Sequence, residues 1–102
     1  MQTLDFKSFA EFYPFYLSQH LNRNCKIMHF IGTTIVFVLV GIIIATGNYI
    51  LILLIPVFGY FFAWLGHFVF EKNRPATFKY PMYSLMGDFR MYFDILTGKL
   101  KI

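Results

Sequence analysis

From Ile27 to Phe70 the chain reads IMHFIGTTIVFVLVGIIIATGNYILILLIPVFGYFFAWLGHFVF, and no Asp, Glu, Lys or Arg occurs between Lys26 and Glu71. A helical crossing of a hydrocarbon core takes about 20 residues, so this run holds two. Thr46, Gly47 and Asn48 divide it, and a turn that short forces the two helices antiparallel. The spacing predicts helices over 27–45 and 49–70, the first apolar on all faces, the second with Pro56 and Gly59 where a kink is expected.

The rest of the composition points the same way. A chain of 102 residues that is 58% hydrophobic and 22% aromatic carries more apolar surface than a soluble domain of that length can bury. One integral membrane domain over residues 1–102 is expected. Asp5 and Glu11 stand where a secretory leader would be basic, so the first membrane segment is expected to stay in the mature protein. Cys25 is the only cysteine, which excludes an internal disulfide and a cysteine-rich zinc cluster. A net charge of +4 would suit nucleic acid, but the nine Lys and Arg residues all lie on the open side of the hairpin. Membrane topology explains them, and no nucleic-acid partner is expected. By the positive-inside rule both termini face the cytoplasm, in a bacterial inner membrane or, in a eukaryote, the endoplasmic reticulum.

The flanks read as short helices. Ser8 and Glu11 have the spacing of a capping box, and Pro14 suits the first turn of a helix running toward His20. The crowded aromatics Phe9, Phe12, Tyr13, Phe15 and Tyr16 suit the headgroup region. Asn22, Arg23 and Asn24 then break the apolar pattern. Beyond the loop at Arg74–Pro75–Ala76–Thr77, Pro81 opens a helix whose Met82, Leu85, Met86, Phe89, Phe93 and Leu96 fall within one arc of about 100°. Ser84, Asp88, Arg90 and Asp94 lie outside that arc, with Asp88 and Arg90 read as a solvated pair. The expected fold is an all-α membrane protein, a two-helix transmembrane hairpin with amphipathic interfacial helices at its N- and C-terminal ends.

The histidines gather at one end of the hairpin. His29 lies about one turn inside the first membrane helix and His67 about one turn before the end of the second, so antiparallel pairing puts them at one depth. Glu71, four residues after His67, shares its helix face. His20 is nine residues before His29, on the opposite face of a continuous helix, and only the break at Asn22 to Asn24 lets it join them. Imidazoles with a carboxylate suit non-haem Fe(II) and leave positions for oxygen and substrate. On spacing alone the bland alternative stands beside it: an interfacial His20, a packing His29, a helix-capping His67, and a Glu71 that neutralises Lys72 or Arg74.

Three stretches carry a family resemblance: Phe15-Tyr16-Leu17-Ser18-Gln19-His20, His29-Phe30-Ile31-Gly32-Thr33, and Gly66-His67-Phe68-Val69-Phe70-Glu71-Lys72-Asn73-Arg74-Pro75-Ala76. Together they resemble the 2-hydroxy fatty acid dioxygenases, small membrane proteins whose yeast member acts in phytosphingosine breakdown. The resemblance runs from about Phe12 to Phe93. It implies an Fe(II)-dependent enzyme that uses O2 to shorten a 2-hydroxy fatty acid by one carbon, an α-oxidation, with His20, His29 and His67 as metal ligands. Glu71, Asn22 and Asn73 fall beside those histidines as further ligands or their supports. An acyl chain can lie among the apolar helices while Arg23, Lys26 or Arg74 holds the carboxylate. No residue is assigned as catalytic acid or base.

Two other classes remain open on the sequence. His29 and His67, facing each other across the hairpin, could be the axial ligands of a haem. Alternatively the chain is a non-enzymatic adaptor subunit, packing through Gly41, Gly47, Gly59 and Gly66 against another membrane protein. Two crossings bury little surface, so a homo-oligomer is also expected.

Overall fold

The computed structural model describes residues 6–102, and the described residues are helical with no strand. Asp5, used above against a cleaved leader, lies outside them. Helix α1 spans Phe9–Ser18, α2 Arg23–Thr46, α3 Leu54–Leu65 and α4 Pro81–Leu96. A 3₁₀ turn over Tyr49–Leu53 leads into α3, a π-helical turn over Gly66–Glu71 prolongs it, and a second 3₁₀ turn, Ala76–Phe78, precedes α4.

Local chemistry sets these limits. The Ser8 hydroxyl accepts from the Glu11 amide at 3.2 Å, starting α1 as its spacing predicts. Pro14, expected in the first turn, falls inside the helix instead. Asn22 caps α2, its side chain accepting from the amides of Asn24 and Cys25. Gly47, at φ 70, closes α2 in the left-handed conformation and donates to the Ile43 carbonyl at 2.8 Å.

A Cβ on Gly32 would meet Phe62, one on Gly59 would meet Val36, and one on Gly66 would meet Cys25. Numbers fall along α3 as they rise along α2, so the two long helices pack side by side in opposite directions. Each stretch, Arg23–Thr46 and Tyr49–Glu71, is long and apolar enough to cross a membrane. Only 17% and 6% of their most apolar windows are buried within the protein, which is too little for core helices of a water-soluble fold.

The aromatic core lies at the other end of the chain's logic. Phe12, Tyr13 and Tyr16 of α1 are buried together with Met91 of α4. On α4 the buried residues are Ser84, Gly87 and Met91, while Met82, Leu85, Met86, Phe93 and Leu96 point outward. Most of the apolar arc is therefore exposed, with Phe89 and Phe93 resting on Phe37 of α2, and the small side of the helix faces in.

Candidate metal centre

His20 sits in the corner between α1 and α2, His29 in the second turn of α2, and His67 in the π-helical turn. All three are buried. Their ring centroids lie 4.5 Å (His20 to His29), 4.5 Å (His20 to His67) and 4.9 Å (His29 to His67) apart. Gly66 makes this possible: its missing side chain lets the π turn rest on the Cys25 backbone, 3.1–3.2 Å from where a Cβ would stand.

Each ring is held by its Nδ1 atom. His20 Nδ1 donates to the Tyr16 carbonyl at 2.6 Å, His29 Nδ1 to the Cys25 carbonyl at 2.9 Å, and His67 Nδ1 to Asn73 Oδ1 at 2.7 Å. With the proton fixed on Nδ1, the Nε2 lone pairs are free, and those of His20 and His29 face each other at 3.2 Å. Two lone pairs at that distance repel unless a cation lies between them. A metal-ligating histidine has this arrangement, one nitrogen to an oxygen acceptor and the other to the ion. Burial, aided by the neighbouring His29 and His67, lowers the pKa of His20 well below that of a free imidazole. Such a ring is neutral at pH 7, as a ligand must be.

Cys25 is buried beside them, and one potential ligand atom from each of His20, Cys25, His29 and His67 lies within 4.8 Å of the others. This cluster can hold a metal ion. The thiol stands 3.8 Å from His29 Nδ1, on the ring's anchored side.

The residues expected around the histidines have distinct places. Asn73 Oδ1 accepts the hydrogen bond from His67 Nδ1, and Asn73 Nδ2 donates to the Gln19 carbonyl at 3.1 Å, tying the π turn to the corner that carries His20. Lys72, at φ 60, turns the chain so that Asn73 can reach back. Glu71 accepts from the Asn22 amide at 2.7 Å, so it clamps the start of α2 to the end of the π turn. Arg23 and Arg74 are exposed and Lys26 is half-buried. Arg74 lies over the Phe78 ring at 5.6 Å and lines a separate cleft with Lys79 and Gln19.

Asp88 is the residue that sequence reasoning missed. It does not pair with Arg90, which bonds Asp94 at 3.3 Å and lies over the Tyr13 ring. Instead Asp88 turns inward, accepts from the Tyr16 hydroxyl, and brings Oδ1 to 4.0 Å from His29 Nε2. Burial pushes its carboxyl up to about 7, against the opposing pull of the Tyr16 hydroxyl. The available signal was the position of Asp88 outside the apolar arc of its helix.

An apolar cleft of about 200 Å³ leads away from this centre, lined by His29, Thr33, Val36, Pro56, Ala63 and Leu85 among others, with Asp88 at its polar end. From His29 to Val36 it follows two turns of α2, about 10 Å at 1.5 Å per residue.

The anchoring of His67 gives a first expected result. Asn73→Ala should weaken metal binding about 10- to 100-fold while leaving the histidines in place, the usual effect of losing a ligand's hydrogen-bonded support. Anaerobic titration with Fe(II) measures it.

The sequence matches, over residues 6–100, the family described as 2-hydroxy-palmitic acid dioxygenase Mpo1-like. No curated protein and no solved structure matches the chain.

Proposed function

Since this chain belongs to the Mpo1-like family, we propose that it is an integral membrane, Fe(II)-dependent dioxygenase that shortens 2-hydroxy fatty acids by one carbon. The observation that carries this is the set of buried imidazoles, each anchored through Nδ1, at the polar end of an apolar cleft. His20, His29 and His67 hold the iron. Bound there, iron supplies the redox chemistry with O2 that no side chain of the protein can provide.

The protein supplies place and polarity. α2 and α3 cross the membrane as a hairpin with both termini on the cytoplasmic side, and α1 and α4 lie at that interface over its open end. The histidines then stand near headgroup depth, and the cleft takes the acyl chain toward the bilayer interior. An acid approaching from the membrane brings its carboxylate and 2-hydroxyl to the histidine end. Arg23, Lys26 and Arg74 give this end a positive potential that draws the anionic head group. Tyr16 fixes His20 through its carbonyl, and Asn73 fixes His67. Burial of all three rings excludes bulk water from the reacting end.

The other two classes find less support. A haem between His29 and His67 would need a slot for its ring, and His20 fills that space at 4.5 Å from both. Of the glycines an adaptor would offer, Gly66 and Gly59 are taken up between α2 and the α3 segment and Gly47 by its turn.

Oxygen uptake by detergent-purified, Fe(II)-loaded protein tests the proposal. With 2-hydroxypalmitate, oxygen is consumed and mass spectrometry finds a product one carbon shorter; with palmitate neither occurs. Absence of uptake by fully loaded protein given the 2-hydroxy acid would overturn it.

A further inference from the structure

We infer that Asp88 is the anionic ligand that completes the metal site from α4, with Ser84 one turn before it facing the same space. The inference rests on the three-histidine metal centre proposed above and adds to it a fourth donor from a helix the histidines do not occupy.

Ser84, Gly87 and Met91 are the buried side of α4, and half-buried Asp88 falls at the edge of that side, one turn after Ser84. Gly87 lets that side come so close to α1 that the Tyr16 ring occupies the space its Cβ would need. Asp88 is thereby carried to the histidines. Its Oδ1 lies 4.0 Å from His29 Nε2, too far for a hydrogen bond. Donor atoms that each sit about 2.0–2.2 Å from a metal are separated by at most about 4.4 Å. Both the 4.0 Å separation and the 3.2 Å between His20 and His29 Nε2 satisfy this.

Tyr16 links the two sides. Its carbonyl accepts from His20 Nδ1 and its hydroxyl donates to Asp88 Oδ1, so one fully buried residue holds both an imidazole of the centre and the carboxylate. The competing fourth donor, the Cys25 thiol, is near His29 Nδ1, the nitrogen already bonded to the Cys25 carbonyl. It stands behind the ring rather than in front of it.

Ser84 provides an independent sign that something polar occupies this space. Its hydroxyl is, among the described residues, a buried side-chain oxygen without a hydrogen-bond partner. It lines a cavity of about 10 Å³ together with Tyr16, His20, His29, His67 and Asp88. A buried hydroxyl left unpaired costs free energy, and an oxygen of water or of the substrate's head group held beside the metal would pair it. Asp88 borders both this cavity and the apolar cleft, so it stands where the acyl chain's head would arrive. Three neutral imidazoles and one carboxylate leave a divalent ion with net positive charge to attract that head.

Anaerobic Co(II) titration of the full chain in detergent, followed by visible absorption, tests the assignment. The wild type and Cys25→Ser should bind with the same affinity and spectrum, and Asp88→Asn should bind at least about tenfold more weakly with an altered ligand-field spectrum. Ser84→Ala should keep the wild-type metal affinity and lose affinity for 2-hydroxypalmitate. Wild-type affinity and spectrum in Asp88→Asn, or loss of binding in Cys25→Ser, would overturn the inference and leave the histidine centre standing. Absence of Co(II) binding by the wild type would instead overturn the histidine centre itself. If Asp88→Asn does not fold, Tyr16→Phe removes only the hydroxyl that steers the carboxylate; weaker Co(II) binding is expected there, and unchanged binding overturns the inference.

Discussion

Replacing His67 by alanine should bring both oxygen uptake and shortened product to the level of boiled protein, and His20→Ala and His29→Ala should do the same. Each ring is fixed by a separate acceptor, the Tyr16 carbonyl, the Cys25 carbonyl and Asn73 Oδ1, so no remaining histidine can swing across to replace a lost one. The effect is expected on metal content as well as on turnover. Helix content by circular dichroism should stay that of the wild type, because the variants truncate side chains around a small polar cavity; His20→Ala removes a ring stacked on Tyr16, but Phe12, Tyr13 and Met91 still pack with that residue. A variant that keeps full activity would remove that histidine from the site.

The second large effect is expected at a residue with no side chain. A Cβ on Gly87 would lie 2.7 Å from one Tyr16 ring carbon and 2.9 Å from another, inside van der Waals contact. Tyr16 cannot retreat, since it is 1% exposed and stacks on the His20 ring with centroids 4.0 Å apart. Either α4 moves off α1 or the ring moves off His20, and both displace Asp88. Overpacking of this kind costs about 1–3 kcal/mol, so Gly87→Ala should lower the thermal midpoint in detergent and reduce turnover. Gly87→Val, with branched bulk at the same point, should prevent recovery of folded protein. Gly41→Ala is the matched control, because nothing lies within 4 Å of its Cβ position. Its midpoint and activity should equal the wild type, and a Gly87→Ala protein as stable and active as Gly41→Ala would contradict the close packing of α4 on α1.

Much of the fold was legible because a long charge-free run imposes a simple demand. A charge-free run divided at Thr46, Gly47 and Asn48 leaves few alternatives to two long helices, and the observed break falls at Gly47 as expected. Ser8 and Glu11 likewise announced the start of α1. The second long segment was read as one helix over 49–70 with a kink expected at Pro56 and Gly59, whereas it changes from 3₁₀ to α to π along its length. Hydropathy is blind to such changes, since it averages over a run of residues whatever the number that makes a turn.

The gathering of the three histidines was legible in the sequence, and the side chains around them were not. His20 joins the others because the chain turns between Ser18 and Arg23, where the polar Asn22 had marked a break. Glu71 was placed on the face of His67 by α-helical spacing. The π turn changes that spacing, and Glu71 instead clamps the Asn22 amide. On α4, Asp88 lies outside the apolar arc and was paired with Arg90 on spacing alone. Asp88 was read as solvated for that reason, although it points at His29.

The most direct test of the account is the iron content of detergent-purified chain after anaerobic loading with Fe(II) and removal of excess metal, measured side by side for the wild type and His67→Ala. One iron per wild-type chain, and a small fraction of that in the variant, is the predicted result. Equal iron in both proteins, or none in a folded wild type, would contradict a metal centre built on His20, His29 and His67.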